Sequence, residues 1–248
     1  MAIASHDLRI VRRDAFPVVL LVFVPLIGMV FMKSAFRSTL VAEGFADANG
    51  AEQAVPGMLV TCGFLLVSYV GYSFYREHAW RTWERLRASP ASAAEILLGK
   101  ALGSLALAAL QFMLVFGLGS LLMGLDVRGS WAATTLVGMA FGLFVVATGL
   151  AVAAVCRTVM QANTIAYLGA LLLACLGGAL VPVTLLPGWA RTIAPIAPTY
   201  WAMRGYRHAI DGSGSVLPSA AILLGCAVIL ALIAIWRMRL DETRTGFA

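Results

Sequence analysis

The segment Arg76–Lys100, REHAWRTWERLRASPASAAEILLGK, concentrates charge and tryptophan in a chain that is only 12% charged. At 100° per residue, Ala79, Trp80, Trp83 and Leu86 share one arc of a helix, and Arg81, Glu84 and Arg85 lie opposite. Glu77 and Arg81 have the favourable i,i+4 order. Ser89-Pro90 ends this helix, and Ser92-x-x-Glu95 reads as a capping box for the next. The chemistry is that of docking: an apolar edge to anchor, and alternating charges to pair with a partner. A short surface helix, a break and a firmly capped long helix also form a path along which a push could travel. An ordinary loop that orients the flanking segments would carry the same charges, so this pattern alone leaves both readings open.

Other reactive residue types do not converge. His6, His78 and His208 fall in polar or interfacial stretches, and Ser104 and Ser120 have no evident His partner. A hydrolase embedded in apolar surroundings would need a nucleophile and a base side by side. Cys62, Cys156, Cys175 and Cys226 lie in or at the ends of apolar runs without a CxxC pair, and read as small buried hydrophobes. No GxxxxGK[ST] occurs, since Gly99-Lys100 is followed by Ala101 and lacks the upstream glycine.

The elements that would position the charged segment are apolar. The chain is 61% hydrophobic with a mean hydropathy of +0.90, and six uncharged or nearly uncharged runs are long enough to cross a bilayer as helices: 16–32, 57–75, 96–123, 131–156, 162–182 and 216–236. The third is too long for a simple crossing and should tilt or extend beyond the bilayer. The first is preceded by Arg9, Arg12 and Arg13 without a small-residue cleavage site, and is expected to be retained. With the N-terminus inside and six alternating spans, twelve of the eighteen Lys and Arg face the cytoplasm, so both termini are expected there. The net charge of +6 then orients the chain against anionic lipid and calls for no nucleic acid.

Residues 5–14 can form an interfacial helix, with Ser5 as N-cap and Leu8, Val11 and Ala15 on one side, or a frayed basic terminus; these residues alone leave both readings open. A polar external loop is expected over about 33–56, and short connections at Asp126–Ser130 and Arg157–Gln161. Beyond the fifth run, Pro182, Pro187, Pro195 and Pro198 break any continuous helix, while Leu185, Leu186, Trp189, Ile193 and Ile196 are too apolar for a solvated loop. Short broken helices that re-enter the outer leaflet satisfy both facts. Gly99–Gly103 and Gly138–Gly142 give two GxxxG spacings suited to close helix packing.

The run FYREHAWRTWERLRASPASAAEILLGK resembles the signature of type-2 ABC exporter permeases, near the drug-resistance branch typified by daunorubicin export systems. The matching positions are Arg76, Glu77, Thr82, Glu84, Arg85, Leu86, Arg87, Ser89, Pro90, Ser92, Gly99 and Lys100. The stretch containing Pro182, Leu186, Pro187, Trp189, Pro195, Pro198, Tyr200 and Arg204 is similar to the family's external re-entrant region. Trp83 replaces a smaller residue of many relatives, and Ala197-Pro198 stands where Asn-Pro is common. The resemblance spans nearly the whole chain. It implies an all-α membrane protein, a single permease domain over residues 1–248, with six spans, an N-terminal interfacial helix, a cytoplasmic coupling helix between spans 2 and 3, and broken helices between spans 5 and 6.

The resemblance further implies a non-enzymatic permease subunit in a bacterial plasma membrane, paired with a second copy or a homologue. ATP and Mg²⁺ would belong to a separate ATPase polypeptide, and this chain would carry no cofactor or metal. Glu77, Trp80, Arg81, Trp83, Glu84 and Arg85 are the expected ATPase-coupling residues, and Pro182, Pro187, Trp189, Pro195, Pro198, Tyr200 and Arg204 the external gate. Few ionisable groups lie at membrane depth, which disfavours an ion-coupled secondary transporter and a strongly charged cargo. A hydrophobic or amphipathic cargo, drug-like or lipid-like, fits the spans, and a lipid-linked glycan or other envelope precursor is the alternative. Phe64, Tyr69, Phe112, Met113, Phe116, Phe141, Phe144 and Tyr167 could line its route or pack against neighbouring helices and lipid.

Overall fold

The computed structural model describes residues 16–42, 49–79, 93–156 and 158–241. These form six long helices: α1 Phe16–Ala42, α2 Ala51–Ala79, α3 Ala93–Met123, α4 Trp131–Val155, α5 Val159–Leu176 and, last in the chain, α8 Leu217–Asp241. Between α5 and α8 lie two short helices, α6 Gly188–Ile193 and α7 Pro198–Asp211, each preceded by a 3₁₀ turn, Val183–Leu185 and Ala194–Ile196. All six long helices contain a stretch long and apolar enough to span a bilayer.

The bundle is built around α2. Its apolar window is 78% buried, against 17–28% for those of α1, α3, α5 and α8, and it packs on α1, α3, α4, α5 and α7. The most extensive helix contact joins α4 to α8. Val60, Phe64 and Val67 of α2, Phe116 of α3, Phe141 and Phe144 of α4, Tyr206 of α7 and Leu223 of α8 meet in one core. On the outside, Phe23, Ile27 and Phe31 of α1, Met113 and Leu121 of α3, Leu168 and Leu172 of α5, and Ile229 and Leu232 of α8 are exposed. Helices apolar on both faces are the pattern of a membrane bundle, whose interior packs and whose exterior meets hydrocarbon.

Local chemistry explains several boundaries. Ser130 caps α4 by accepting from the Ala133 amide at 3.4 Å, and Thr158 caps α5 by accepting from Gln161 at 3.2 Å. Asn49 Oδ1 accepts from the Ala51 amide at 2.7 Å, and Glu52 reaches back to the Gly50 amide at 3.1 Å, so α2 begins with two satisfied donors.

Two expectations are corrected. The external loop over 33–56 is largely helical: α1 continues to Ala42 and α2 starts at Ala51. Polar ends are stable there because they bond across helices, as when Lys33 Nζ donates to the Met123 carbonyl at 2.7 Å. The fifth span ends at Leu176, six residues before the expected end, because the chain turns at Gly177 and at Gly178, whose φ is +82°. Of the aromatic and Met residues that could line a route or pack, Phe64, Phe116, Phe141 and Phe144 pack in the core, whereas Met113 and Tyr167 are exposed.

Gly138 and Gly142 do serve close packing. A Cβ on Gly138 would lie 2.5 Å from the Phe112 ring, and one on Gly142 would meet Ala108 at 3.4 Å, so this GxxxG face receives α3 of the same chain. The expected interfacial helix over 5–14 and the coupling helix centred on 79–89 lie outside the described residues.

Candidate coupling segment and the short-helix end

The two candidate regions adjoin opposite ends of α2: the charged stretch follows its last turn in the chain, and the short helices contact its first turn. Glu77 falls in the last turn of α2, while Trp80, Arg81, Trp83, Glu84 and Arg85 lie outside the described residues. α2 runs unbroken for 29 residues into this segment, about 43 Å at 1.5 Å per residue. That exceeds a hydrocarbon core of about 30 Å. The segment's other exit is α3, described from Ala93 onward. The two helices that flank the charged stretch are therefore neighbours in the bundle, and one of them is its centre.

At the far end, the short helices are fastened to the bundle by buried polar contacts. Gln53, 3% exposed in the first turn of α2, donates Nε2 to the Gly178 carbonyl at 2.7 Å. Arg207 Nη2 of α7 reaches Gln53 Oε1 at 3.4 Å. One turn further along α2, a Cβ on Gly57 would stand 2.4 Å from the Ala179 carbonyl oxygen, so backbone meets backbone there and only glycine fits. Thr199 Oγ1, in the first turn of α7, donates to the Leu173 carbonyl of α5 at 2.5 Å. The C-terminal carbonyls of Ala209 and Ile210 accept from the Ser130 and Gly129 amides at 3.1 and 2.9 Å, joining α7 to the start of α4.

The gate candidates divide by environment. Pro182 is buried and precedes the first 3₁₀ turn, and Pro187 is exposed directly before α6. Trp189 is exposed, as are Leu185 and Ile196. Arg191 joins α6 to the preceding 3₁₀ turn, donating Nη2 to the carbonyls of Thr184 at 2.5 Å and Leu186 at 3.2 Å. Pro195 contributes its carbonyl to Trp201 Nε1 at 2.8 Å, and Pro198 opens α7 at the position where a missing amide costs nothing. Tyr200 and Trp201 pack edge to face at 5.5 Å, and Arg204 lies 5.3 Å over the Trp201 ring. Arg204 Nε also donates to His208 Nε2 at 3.4 Å. Tyr200, Trp201 and Arg204 thus form one stacked group on α7, while Pro182, Pro187 and Trp189 belong to the preceding turns and α6.

Sequence reasoning missed Gln53, Arg207 and Asp211. Burial raises the Asp211 carboxyl above its ordinary range, Arg207 opposes that and Glu52 adds to it, with Arg128 and His208 opposing more weakly. The signal for Gln53 was present, since a glutamine opening a long apolar helix needs a partner, but that partner lies 125 residues away. Gln111 bonds between helices: its Nε2 donates to the Leu21 carbonyl of α1 at 3.4 Å. Among the described residues, no group of three or more His, Cys, Asp or Glu could hold a metal ion.

An all-α bundle of six helices long and apolar enough to span a bilayer, with no group of three or more His, Cys, Asp or Glu among its described residues, defines a polytopic membrane protein. The chain belongs to the ABC-2 type transporter family, which residues 2–210 match. It is 28% identical over 141 residues to the probable multidrug ABC transporter permease YbhR of Escherichia coli K12, covering 57% of this chain and 38% of that protein. It is 30% identical over 153 residues to the linearmycin resistance permease protein LnrN of Bacillus subtilis, covering 62% of this chain and 39% of that one. The chain therefore spans about two fifths of the length of these curated relatives.

Proposed function

We propose that this chain is the membrane-spanning subunit of an ATP-driven exporter, working as a dimer with a separate ABC ATPase in a bacterial plasma membrane with both termini cytoplasmic. The observation that carries the reading is the continuity of α2, the most buried helix, from the Gln53–Gly178 contact at one end to Glu77 at the other. A push received by Glu77, Trp80, Arg81, Trp83, Glu84 and Arg85 acts directly on the central helix and on α3. The apolar members anchor the segment, and the charges fit a groove on the ATPase. At the opposite end, Pro182, Pro187, Trp189, Pro195, Pro198, Tyr200 and Arg204 form the outer gate, held to α2 through Gln53 and the close approach at Gly57.

The cargo is hydrophobic or amphipathic, drug-like or lipid-like, entering at least partly from the inner leaflet. Among the described residues the interior is packed with aliphatic and aromatic side chains, where a strongly charged solute would lose its hydration without replacement. The family match and the names of the two relatives, one a probable multidrug permease and one a linearmycin resistance permease, support this reading. The test is reconstitution with the ATPase in lipid vesicles. Lipophilic cations or lipid conjugates should raise ATP hydrolysis, whereas sugars, amino acids and inorganic ions should not. Glu84→Arg combined with Arg85→Glu keeps the segment's charge but reverses its pattern, and should abolish ATPase association or its stimulation. Normal complex formation and stimulation in that variant would make the segment a topogenic loop.

A further inference from the structure

α1 and α3 run in the same direction and are tied at two points. Near the middle of α1, Pro25 has no amide hydrogen and its ring displaces the carbonyl four residues earlier, leaving the Leu21 oxygen without its helical donor. Gln111 of α3, buried at 3% exposure, supplies the missing donor through Nε2 at 3.4 Å. Towards the short-helix end, Lys33 Nζ donates to the carbonyl of Met123, the last residue of α3, at 2.7 Å. Met123 is one of the terminal carbonyls a helix cannot satisfy internally, and a cation there also complements the helix dipole.

Both ties join residues ninety positions apart, so twelve residues separate them on each helix, about 18 Å. The matching spacing means that a slide of one helix along the other would break both contacts together. Each tie uses a backbone carbonyl that its own helix leaves free, one because of Pro25 and one because α3 ends. Nonspecific apolar packing would permit sliding or rotation; two polar contacts in one register do not. α3 emerges directly from the charged segment, whereas α1 is separated from that segment in the chain by the whole of α2.

We propose that Gln111 and Lys33 are positioning residues that make α1 and α3 one rigid pair, so that displacement of the charged segment moves α1 through α3. The tie rests on geometry alone; what its motion accomplishes rests on the export reading. Changing Pro25→Ala together with Gln111→Leu and Lys33→Met restores the α1 amide and removes both side-chain donors. The mid-helix contact is then lost without leaving the Leu21 carbonyl unpaired, so folding is preserved while the tie is cut.

Spin labels at the exposed positions Phe31 and Leu121, in a background without the four native cysteines, report the α1–α3 separation of the full chain in nanodiscs. One narrow distance distribution is expected for the parent and a broadened one for the triple variant. An equally narrow distribution in the variant would overturn the rigid pair. A second pair, at Phe31 and Leu217, follows α1 against α8 in the complex with the ATPase. Vanadate-trapped nucleotide should shift that distance in the parent and leave it unshifted in the variant, with loss of cargo-stimulated hydrolysis. Equal shifts in both proteins would overturn the transmission role. A parent that shows no nucleotide-dependent shift but keeps its narrow α1–α3 distance would count against the export reading and leave the pair standing.

Discussion

Replacing Gln53 by leucine isolates the contact that fastens the outer turn to the central helix. Leucine keeps nearly the same volume and suits a site only 3% exposed, so the change removes hydrogen bonding with little change in packing. Two contacts disappear: the 2.7 Å bond from Nε2 to the Gly178 carbonyl and the 3.4 Å contact from Arg207 to Oε1. They are unequal. Arg207 is exposed and water replaces its lost partner, whereas the Gly178 carbonyl loses its donor within a buried turn. An acceptor stranded in this way costs about 1–3 kcal/mol, and an exposed polar contact at most about 1 kcal/mol.

Gln53→Leu should therefore destabilise by about 2 kcal/mol and Arg207→Ala by under about 0.5 kcal/mol, with the double variant close to Gln53→Leu alone. For a chain of this size, 2 kcal/mol lowers the melting temperature by roughly 4–8 °C. Intrinsic fluorescence during thermal unfolding of the detergent-purified protein measures it. A Gln53→Leu melt within about 1 °C of the parent, or an Arg207→Ala loss as large as the Gln53→Leu loss, would refute the assignment of the stabilisation to the buried Gly178 bond.

Tyr206 is fully buried with no hydrogen-bond partner for its hydroxyl among the described residues, so Tyr206→Phe removes an unsatisfied group while retaining the ring packed 5.3 Å from Phe116; the melting temperature should rise, and a fall would show that the hydroxyl is satisfied. Asp211, at the negative end of α7, holds its proton more readily when folded than the usual value of about 3.9 for the unfolded chain. The folded state then binds more protons above about pH 4, and stability falls as pH rises through the window between the two values. Asp211→Asn should accordingly melt higher than the parent at pH 7, by a margin that shrinks towards pH 4; a margin independent of pH would exclude this origin. Single cysteines at Ala48 and Ala88 in a cysteine-free background should label from opposite faces of intact cells, Ala48 from outside and Ala88 only after permeabilisation. Labelling of both from one side would exclude the six-span arrangement with cytoplasmic termini.

Much of the architecture was legible because the relevant physics is local. An apolar run of bilayer length must satisfy its own backbone, so six runs became six helices whatever their partners. The short connection before Trp131 and the breaks at Pro187, Pro195 and Pro198 likewise depend on a few adjacent residues. The charged segment between α2 and α3 stands out for the same reason: charge and tryptophan are conspicuous against apolar flanks.

Only the tertiary structure decided where the polar residues at helix ends and within helices find partners. Composition suggested a loop beginning at Lys33, but the carbonyl that completes that lysine belongs to Met123, and α1 continues. The apolar run through Pro182 suggested a longer fifth span, but Thr199 binds the Leu173 carbonyl and Gly178 turns the chain back towards α2. Hydropathy could not distinguish Phe116, buried against Tyr206, from Met113, exposed three residues earlier on the same helix. In a membrane bundle the inner and outer faces are both apolar, so periodicity carries little information about which face turns inward. That choice is made by steric fit and by polar partners up to 154 residues away, which no local window contains.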